Sequence, residues 1–532
     1  MALSLVMSAT GPVQAALFNV APGNVAALID AINQANANGQ PDTINLGLNA
    51  TYTLRQSADG ANGLPVITSP IVINGNGATL QRGGAGASAF RILEVQGGQL
   101  ALSSVTLRNG RAEAGGAILN SGTLNLSNSV LAGNAAVPSE GTGGTGGAIA
   151  NSGALTMLNS TVTQNSARLG GAVSNAEFGT ARVLNSTLSA NTASFGGGVS
   201  NAFGGSINVT NSLLSNNVSR FSGGGVDNFN ANVRVVNSTL SGNSADSCGG
   251  LNNEDGTISL VSSTLTGNAG GGLCSFQFAN ADVTNSLIVN TAPGRNCLSD
   301  DSLITAGNNL DTDGSCAKLR SGTGTFRRVS AAQLKLGALA SNGGPARSHA
   351  LLSGSIAIDG GGQAACDNGG IVNDQRLSKR PIDGNADGVA VCDIGAFEFG
   401  APPVLCAGAV VTLFGTQGAE TLRGTPGRDV IRAFDGNDMV LGHGGNDVIC
   451  GGADNDTLAG GPGNDSLYGE HGNDRLTGLV GNDQLFGGPQ QDRLAGGGGR
   501  DRLDGGLGTD TCDGGPPGGD SAVNCERVTN VP

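Results

Sequence analysis

From Gly415 onward an acidic side chain returns at every ninth position: Glu420, Asp429, Asp438, Asp447, Asp456, Asp465, Asp474, Asp483, Asp492, Asp501 and Asp510. Two residues after each stands Leu422, Ile431, Val440, Ile449, Leu458, Leu467, Leu476, Leu485, Leu494, Leu503 or Cys512. Two residues before each stands glycine in nine of the eleven repeats, the exceptions being Asp454 and Gln490. The template is G-G-x-G-x-D-x-U-x, with U apolar. Carboxylates placed this regularly beside glycine turns suit the binding of hard cations. A strand-and-turn unit with one inward apolar residue per nonapeptide makes a flat coil from each pair of repeats. Alternate aspartates then stack on one side. Asp429, Asp447, Asp465, Asp483 and Asp501 form one file, and Asp438, Asp456, Asp474, Asp492 and Asp510 the other. At a coil spacing of about 4.8 Å neighbouring carboxylates repel by about 1 kcal/mol even at the dielectric of water. Calcium fits between them: it takes six or more oxygens in flexible geometry, and the fourth-position glycines Gly427, Gly436, Gly445, Gly463, Gly472, Gly481 and Gly499 can offer backbone carbonyls. Magnesium would keep more of its water, and zinc would want His or Cys. Folding of this segment is therefore expected to couple to calcium. A second, weaker metal loop is read at Asp383, Asn385 and Asp387 in DGNADG, although the twelfth position is Ile394 rather than Glu, which excludes an EF-hand.

Charge agrees with this reading. The 532-residue chain carries a net charge of -14, and residues 415–510 alone hold 13 Asp and 2 Glu against 7 Arg. Nucleic acid and anionic membrane are excluded as partners for this end, and cations are favoured. No apolar run reaches the roughly 18 residues of a membrane helix. The composition of 92 Gly and no Trp, without a G-X-Y period, suits an all-β chain with many tight turns.

Ahead of the nonapeptides the period is longer. One motif, G-G-[AG]-[IVL]-x-N, ends at Asn120, Asn151, Asn175, Asn201 and Asn228. A second, N-S-x-[LV]-x-x-N, starts at Asn128, Asn159, Asn185, Asn211 and Asn237, with variants at Ser103 and Ser262, so that successive starts lie 25, 31, 26, 26, 26 and 25 residues apart. Such a period, made of short strands, predicts a solenoid of three-strand coils with the turn asparagines stacked as ladders. Residues such as Leu124 and Leu126 are expected in its core. The N-S-T triplets at Asn159, Asn185 and Asn237 match glycosylation sequons, but turn chemistry explains them first.

An open solenoid exposes strand edges that need cover. Residues 22–36, with Val25, Leu28, Ile29 and Ile32 at helical spacing behind Pro22, predict a short amphipathic helix that caps one end. The stretch from about 296 to 400 can cover the other. The ten cysteines contain no C-x-x-C pattern and favour disulfides in an oxidising compartment. Sequence neighbours suggest Cys248 with Cys274, Cys297 with Cys316, Cys366 with Cys392, Cys406 with Cys450 and Cys512 with Cys525, among other connectivities. The apolar start MALSLVMSATGPVQA, with small residues at Val13 and Ala15, reads as the remnant of a secretion signal lacking its basic region.

These residues carry resemblances. The nonapeptides resemble the haemolysin-type (RTX) calcium-binding repeat, whose Asp is the side-chain ligand. FNVAPGNVAALIDAINQAN, PDTINL from Pro41, GLPVI from Gly63 and FRIL from Phe90 look like the start of secreted bacterial β-helix proteins of the CSLREA type, with AALIDA at Ala26–Ala31 in place of the eponymous hexapeptide. LASNGGPARSHALLSGSIAIDGG from Leu339 and CDIGAFEF from Cys392 resemble the choice-of-anchor Q domain of pectin-lyase-like surface proteins. The expected fold is all-β: a right-handed parallel β-helix with a short N-terminal capping helix, followed by an RTX parallel β-roll. The expected divisions are residues 1–16 as signal remnant, 17–295 as β-helix with its cap, 296–400 as its C-terminal part, and 401–532 as the calcium-binding roll with a C-terminal cap.

The expected function is that of a secreted, calcium-binding, non-enzymatic scaffold or adhesion-type protein of the extracellular space or cell surface. Calcium ions are its partners, and extracellular polysaccharide or a cell surface is the partner class for the solenoid. The alternative is a polysaccharide lyase or uronate epimerase, since a β-helix joined to RTX repeats resembles such enzymes. Those chemistries need a base and an acid beside a carboxylate cluster. The solenoid offers Asp227, Asp246, Glu254 and Asp255 as dispersed carboxylates. Of the three histidines, His349 falls in the C-terminal part and His443 and His471 within the repeats. Phe195, Phe203, Phe221 and Phe229 are the aromatic positions open to sugars.

Overall fold

The computed structural model describes residues 14–83, 88–138, 143–290, 292–300, 303–316, 326–361, 372–516 and 518–531. Most of the proposed signal remnant and Cys366 lie outside them. The chain is nearly all β, in two stacks of parallel strands.

The first stack is a parallel β-helix. One face is a nine-strand parallel sheet running from Leu93–Val95 through Ile149–Asn151 and Val226–Phe229 to Cys297–Ser299. The other two faces belong to a 22-strand sheet that continues through Asn309–Asp311 to Phe326–Arg328. Every strand pairs with its counterpart one coil away, as Thr180–Leu184 does with Ser206–Thr210. Alternating apolar residues, Leu124 and Leu126 among them, fill one continuous core.

Both asparagine motifs have a physical cause. The last residue of the glycine motif builds a buried amide ladder, with Asn151 Nδ2 donating to Asn175 Oδ1 at 2.6 Å and Asn175 Nδ2 to Asn201 Oδ1 at 2.7 Å. The last residue of the N-S motif builds another. The Asn191 amide donates to Asn217 Oδ1 at 2.9 Å and to Val162 O at 3.0 Å, while its own Oδ1 accepts from the Asn165 backbone at 3.0 Å. The motif's serine makes a third, with Ser186 N donating to Ser212 Oγ at 3.0 Å. Buried polar groups at the turns are thereby satisfied coil after coil. The first asparagine of the N-S motif adopts positive φ at Asn128, Asn159, Asn185, Asn211 and Asn237, between 46° and 51°, a conformation that Asn tolerates better than other side chains with a Cβ.

In the first N-S variant the register differs from the sequence reading. Ser104, with φ 51°, holds the turn position rather than Ser103. Leu107 must lie opposite Leu131 in the core, and a one-residue slip would turn it outward.

The N-terminal helix spans Val25–Asn38 and starts at Asn24, whose side chain accepts from Ala27 N at 3.0 Å, so Pro22 lies before the cap rather than in the first turn. Leu28 and Ile32 are fully buried against the first coils. Beyond residue 328 the chain packs along the flank of the solenoid as well as beyond its last coil: Leu334, Leu351, Ile358, Ile394 and Phe397 share a core with Leu287, Val289 and Leu310.

The second stack is a flat roll of two seven-strand parallel sheets with a repeat of eighteen residues, as in the register Ile449↔Leu467↔Leu485↔Leu503. The eleven apolar positions named above form its buried spine. The roll extends one coil past the last nonapeptide, because Ser521–Val523 and Arg527–Thr529 pair onto Arg502–Asp504 and Thr511–Asp513. It leans on the solenoid. Leu158 joins its core, and the positive-φ asparagines clamp the later chain by its carbonyls: Asn128 Nδ2 to Arg423 O at 3.2 Å, Asn159 to Phe414 O at 2.7 Å, Asn237 to Asn373 O at 2.7 Å and Asn285 to Asp393 O at 2.9 Å. These clamps occupy the amides of the sequon asparagines Asn159 and Asn237, and the amide of the third, Asn185, reaches Gly415 O at 3.4 Å.

Disulfides join Cys248 to Cys274, Cys297 to Cys316, Cys406 to Cys450 and Cys512 to Cys525.

Candidate metal centre

Each nonapeptide aspartate stands at the end of a turn and ahead of a strand whose second residue is buried, so the inward leucine fixes where the carboxylate points. The two carboxylate oxygens have different fates. One accepts the backbone N–H of the aspartate eighteen residues earlier: Asp447 Oδ1 from Asp429, Asp465 from Asp447, Asp483 from Asp465 and Asp501 from Asp483, each at 2.8 Å. The opposite file repeats this with Asp438, Asp456, Asp474, Asp492 and Asp510, again at 2.8 Å. The other oxygen, Oδ2, is buried and has no hydrogen-bond donor in Asp438, Asp447, Asp456, Asp465, Asp474, Asp483, Asp492, Asp501 and Asp510. Within each file the aspartates therefore stack one coil apart.

A buried carboxylate oxygen with no donor is costly. Burial pushes Asp438, Asp447, Asp456 and Asp483 up to about 7 and Asp474 and Asp492 up to about 6, with Asp465, Asp501 and Asp510 also raised. Neighbouring carboxylates of the same file add to the rise at Asp447, Asp456, Asp483 and Asp492.

Glycine leaves room around most of these carboxylates at two positions of the repeat. At the first position of the repeat, a Cβ on Gly478 would stand 2.3 Å from Asp483 Oδ2 and 2.6 Å from Gly496 O, and one on Gly487 2.5 Å from Asp492 Oδ2 and 2.6 Å from Gly505 O. A carboxylate oxygen and a carbonyl from the next coil therefore converge where a side chain would otherwise be. At the fourth position, Gly463 and Gly481 take φ of 146° and 142°, and a Cβ there would lie 1.6 Å from the carbonyl oxygen one coil earlier. A Cβ on Gly472 or Gly499 would lie 1.8 Å from the corresponding carbonyl oxygen and one on Gly445 or Gly436 2.5 or 2.7 Å from the backbone of the coil before, whereas one on Gly427 meets nothing closer than 3.7 Å. Asp454 and Gln490, which replace glycine here, hold φ of 75° and 88°.

Such oxygens fit calcium. Among the described residues no three His, Cys, Asp or Glu side chains converge, so an ion here would draw on a carboxylate together with backbone carbonyls. The repeat's two ends differ. Asp429 Oδ2 accepts from Thr425 N at 2.6 Å and Thr425 Oγ1 at 2.9 Å, and Glu420 is held by Thr416. At the other end the files gain two residues that the nine-residue spacing had not revealed. Asp520 Oδ1 accepts from Asp501 N at 2.8 Å and Glu526 Oε2 from Asp510 N at 2.6 Å.

The second loop is built differently. Asp383 accepts from Asp387 N at 3.2 Å and Gly388 N at 2.9 Å, Asn385 Oδ1 from Asp387 N at 2.8 Å, and Asp387 Oδ1 from Val389 N at 2.9 Å. Its oxygens close its own exposed turn.

Among the described residues the dispersed carboxylates of the solenoid form no metal-ligating cluster. Asp227, raised by burial, accepts from Ser222 Oγ at 2.7 Å and Asn252 Nδ2 at 3.0 Å. His349 is lowered by burial and bonds Ser241 Oγ at 2.9 Å and Gly337 O at 2.7 Å. A cleft of about 550 Å³ between solenoid and roll holds Glu420 as its one carboxylate among the described residues. On the outer surface Phe178, Phe203, Phe229 and Phe278 are 81%, 56%, 37% and 92% exposed at the turns that follow the nine-strand sheet. Phe203 and Phe229, one coil apart, meet edge to face at 5.8 Å.

No curated protein and no solved structure matches the chain. The sequence profile described as the RTX calcium-binding nonapeptide repeat (4 copies) matches residues 414–449, 451–485 and 486–516, so this part of the chain is a stack of RTX calcium-binding nonapeptide repeats.

Proposed function

We propose that the chain is a secreted, calcium-stabilised scaffold of the extracellular space or cell surface, in which calcium is structural and the solenoid presents a surface rather than an active site. The observation that carries this reading is the row of buried, donorless Asp Oδ2 atoms. They make the roll a stack of half-built sites that a divalent cation completes. The division into a β-helix over residues 17–295, its C-terminal part over 296–400 and a roll over 401–532 belongs to the same proposal, as does the CSLREA and choice-of-anchor Q character of the first 400 residues. The disulfides among the described residues support an oxidising compartment. No helix among the described residues is long and apolar enough to cross a membrane.

The partner class proposed for the solenoid is extracellular polysaccharide or a cell surface, met by the exposed phenylalanines. Aromatic faces stack on apolar sugar faces, and ordered rings at a fixed coil spacing suit a repeating polymer better than a compact ligand. The test is incubation of the calcium-loaded protein with polyuronates, following both retention on the polymer and the appearance of unsaturated or epimerised uronate. Retention without chemical change is the expected result. Product formation would replace the scaffold with a lyase or epimerase.

A further inference from the structure

We propose that Asp520 builds a further calcium site at the C-terminal end of the roll, outside the nonapeptide pattern. This inference rests on the calcium reading of the repeats. Asp520 follows Asp501 by nineteen residues rather than eighteen, and the match to the repeat profile ends at residue 516. The structure nevertheless reproduces there the contacts of an in-pattern carboxylate. Asp520 Oδ1 accepts from Asp501 N at 2.8 Å, the bond that Asp501 Oδ1 makes with Asp483 N. Ser521 N donates to Asp501 O at 2.9 Å, as Arg502 N does to Asp483 O at 2.8 Å. Asp520 is only 8% exposed, and its Oδ2 is buried without a donor, like those of the file it extends. A Cβ on Gly514 would stand 2.6 Å from Asp520 Oδ2 and 2.7 Å from Asn530 O. This is the same convergence of carboxylate and carbonyl oxygen found at Gly478 and Gly487, with Asn530 supplying the carbonyl that a glycine supplies elsewhere.

The opposite file ends otherwise. Glu526, which accepts from Asp510 N, is exposed, so water rather than a metal can serve its second oxygen. Because Thr425 serves Asp429 Oδ2, the Asp520 site gives each file five buried carboxylate oxygens without a donor. Its place on the last coil leaves water to complete the coordination, which points to the weakest affinity in the file.

Crystals of the full-length protein grown in millimolar calcium test this by anomalous scattering. The expected result is a peak at about 2.3–2.6 Å from Asp520 Oδ2, in addition to peaks along the in-pattern aspartates. In solution, Asp520→Asn is expected to lose one bound calcium per chain by elemental analysis after equilibrium dialysis, while Asp435→Asn, at an exposed carboxylate outside both files, keeps the full count. Peaks along the in-pattern aspartates with none at Asp520 would overturn the assignment, as would an unchanged count in Asp520→Asn. A protein with no calcium anywhere would overturn the reading of the repeats themselves, which separates the two failures.

Discussion

Asp447 Oδ1 accepts the backbone N–H of Asp429 at 2.8 Å, and Asp447 Oδ2, on the same carbon, is buried with no donor at all. One carboxylate thus serves two purposes: half of it ties one coil to the next, and half of it is left for a cation. Without the cation the second half opposes folding, since burial and the neighbouring Asp465 and Asp429 charges disfavour its ionised form. On the proposed reading the files are a condition of folding as much as a place to bind.

The sign of a substitution in the file should therefore depend on calcium. Asp465→Asn keeps an oxygen to accept from Asp447 N and removes the buried charge. In chelator the variant is expected to melt at or above the wild-type temperature. In millimolar calcium it should be less stable by about 1–3 kcal/mol and bind fewer ions. Calorimetry under both conditions checks the crossing; a variant weaker in both would contradict it.

Two glycines of identical sequence position should behave differently. Gly463→Ala places a Cβ 1.6 Å from Gly445 O at φ 146°, and is expected to cost more than about 1 kcal/mol in the calcium-loaded protein. Gly427→Ala meets open space and should stay within about 0.5 kcal/mol of wild type. Equal effects in thermal melts would show that the fourth position is not confined by the coil before it.

The solenoid ladders give a prediction independent of calcium. Asn191→Ala leaves the Asn165 N–H and Val162 O without their side-chain partner, each at about 1–3 kcal/mol, while Asn217 Oδ1 keeps the backbone N–H of residue 191. Asn125→Ala, on an exposed strand position, should change stability by less than about 0.5 kcal/mol. Denaturant unfolding of both variants with calcium in excess decides it.

Asp393 gives the pH dependence of the segment beyond the solenoid. Burial first, and then the charge of Glu398, push it up to about 8 against the opposing effects of the Phe399 and Asp359 N–H groups and Arg380. A carboxyl raised on folding holds its proton in the native state where the unfolded chain has lost it. The native state is penalised progressively as pH rises from about 4 to about 8 and no further above that. Amide exchange at Phe399 in calcium-saturated protein should therefore show weaker protection near pH 8 than near pH 5, once corrected for intrinsic exchange. Asp393→Asn should flatten that slope.

The periodic parts were legible because each period carries its own cause. An inward leucine and a turn aspartate every nine residues define both the roll and its two files, and an asparagine every 25 or so residues defines the ladders. Four of the neighbouring cysteine pairs were also legible from their order along the chain. What escaped was what periodicity does not encode. Asp520 sits one residue out of step, so only the bond to Asp501 N reveals it. Ser104 displaced Ser103 because Leu107 had to face the core. The clamps from Asn128 and Asn159 fall on backbone carbonyls, which every residue possesses, so nothing in the sequence marks the roll as leaning on the solenoid. The Asp383 loop had the residue types of a metal site, but its oxygens close on the loop's own N–H groups.

The most direct test of calcium as a folding condition is far-ultraviolet circular dichroism of the full-length protein titrated from chelator into millimolar calcium, with magnesium as the control. A gain of β signal with calcium, absent with magnesium and reversed by chelator, is the expected result. A spectrum that stays the same while calcium is shown by dialysis to bind would contradict it, because the roll would then be folded before its carboxylates are neutralised.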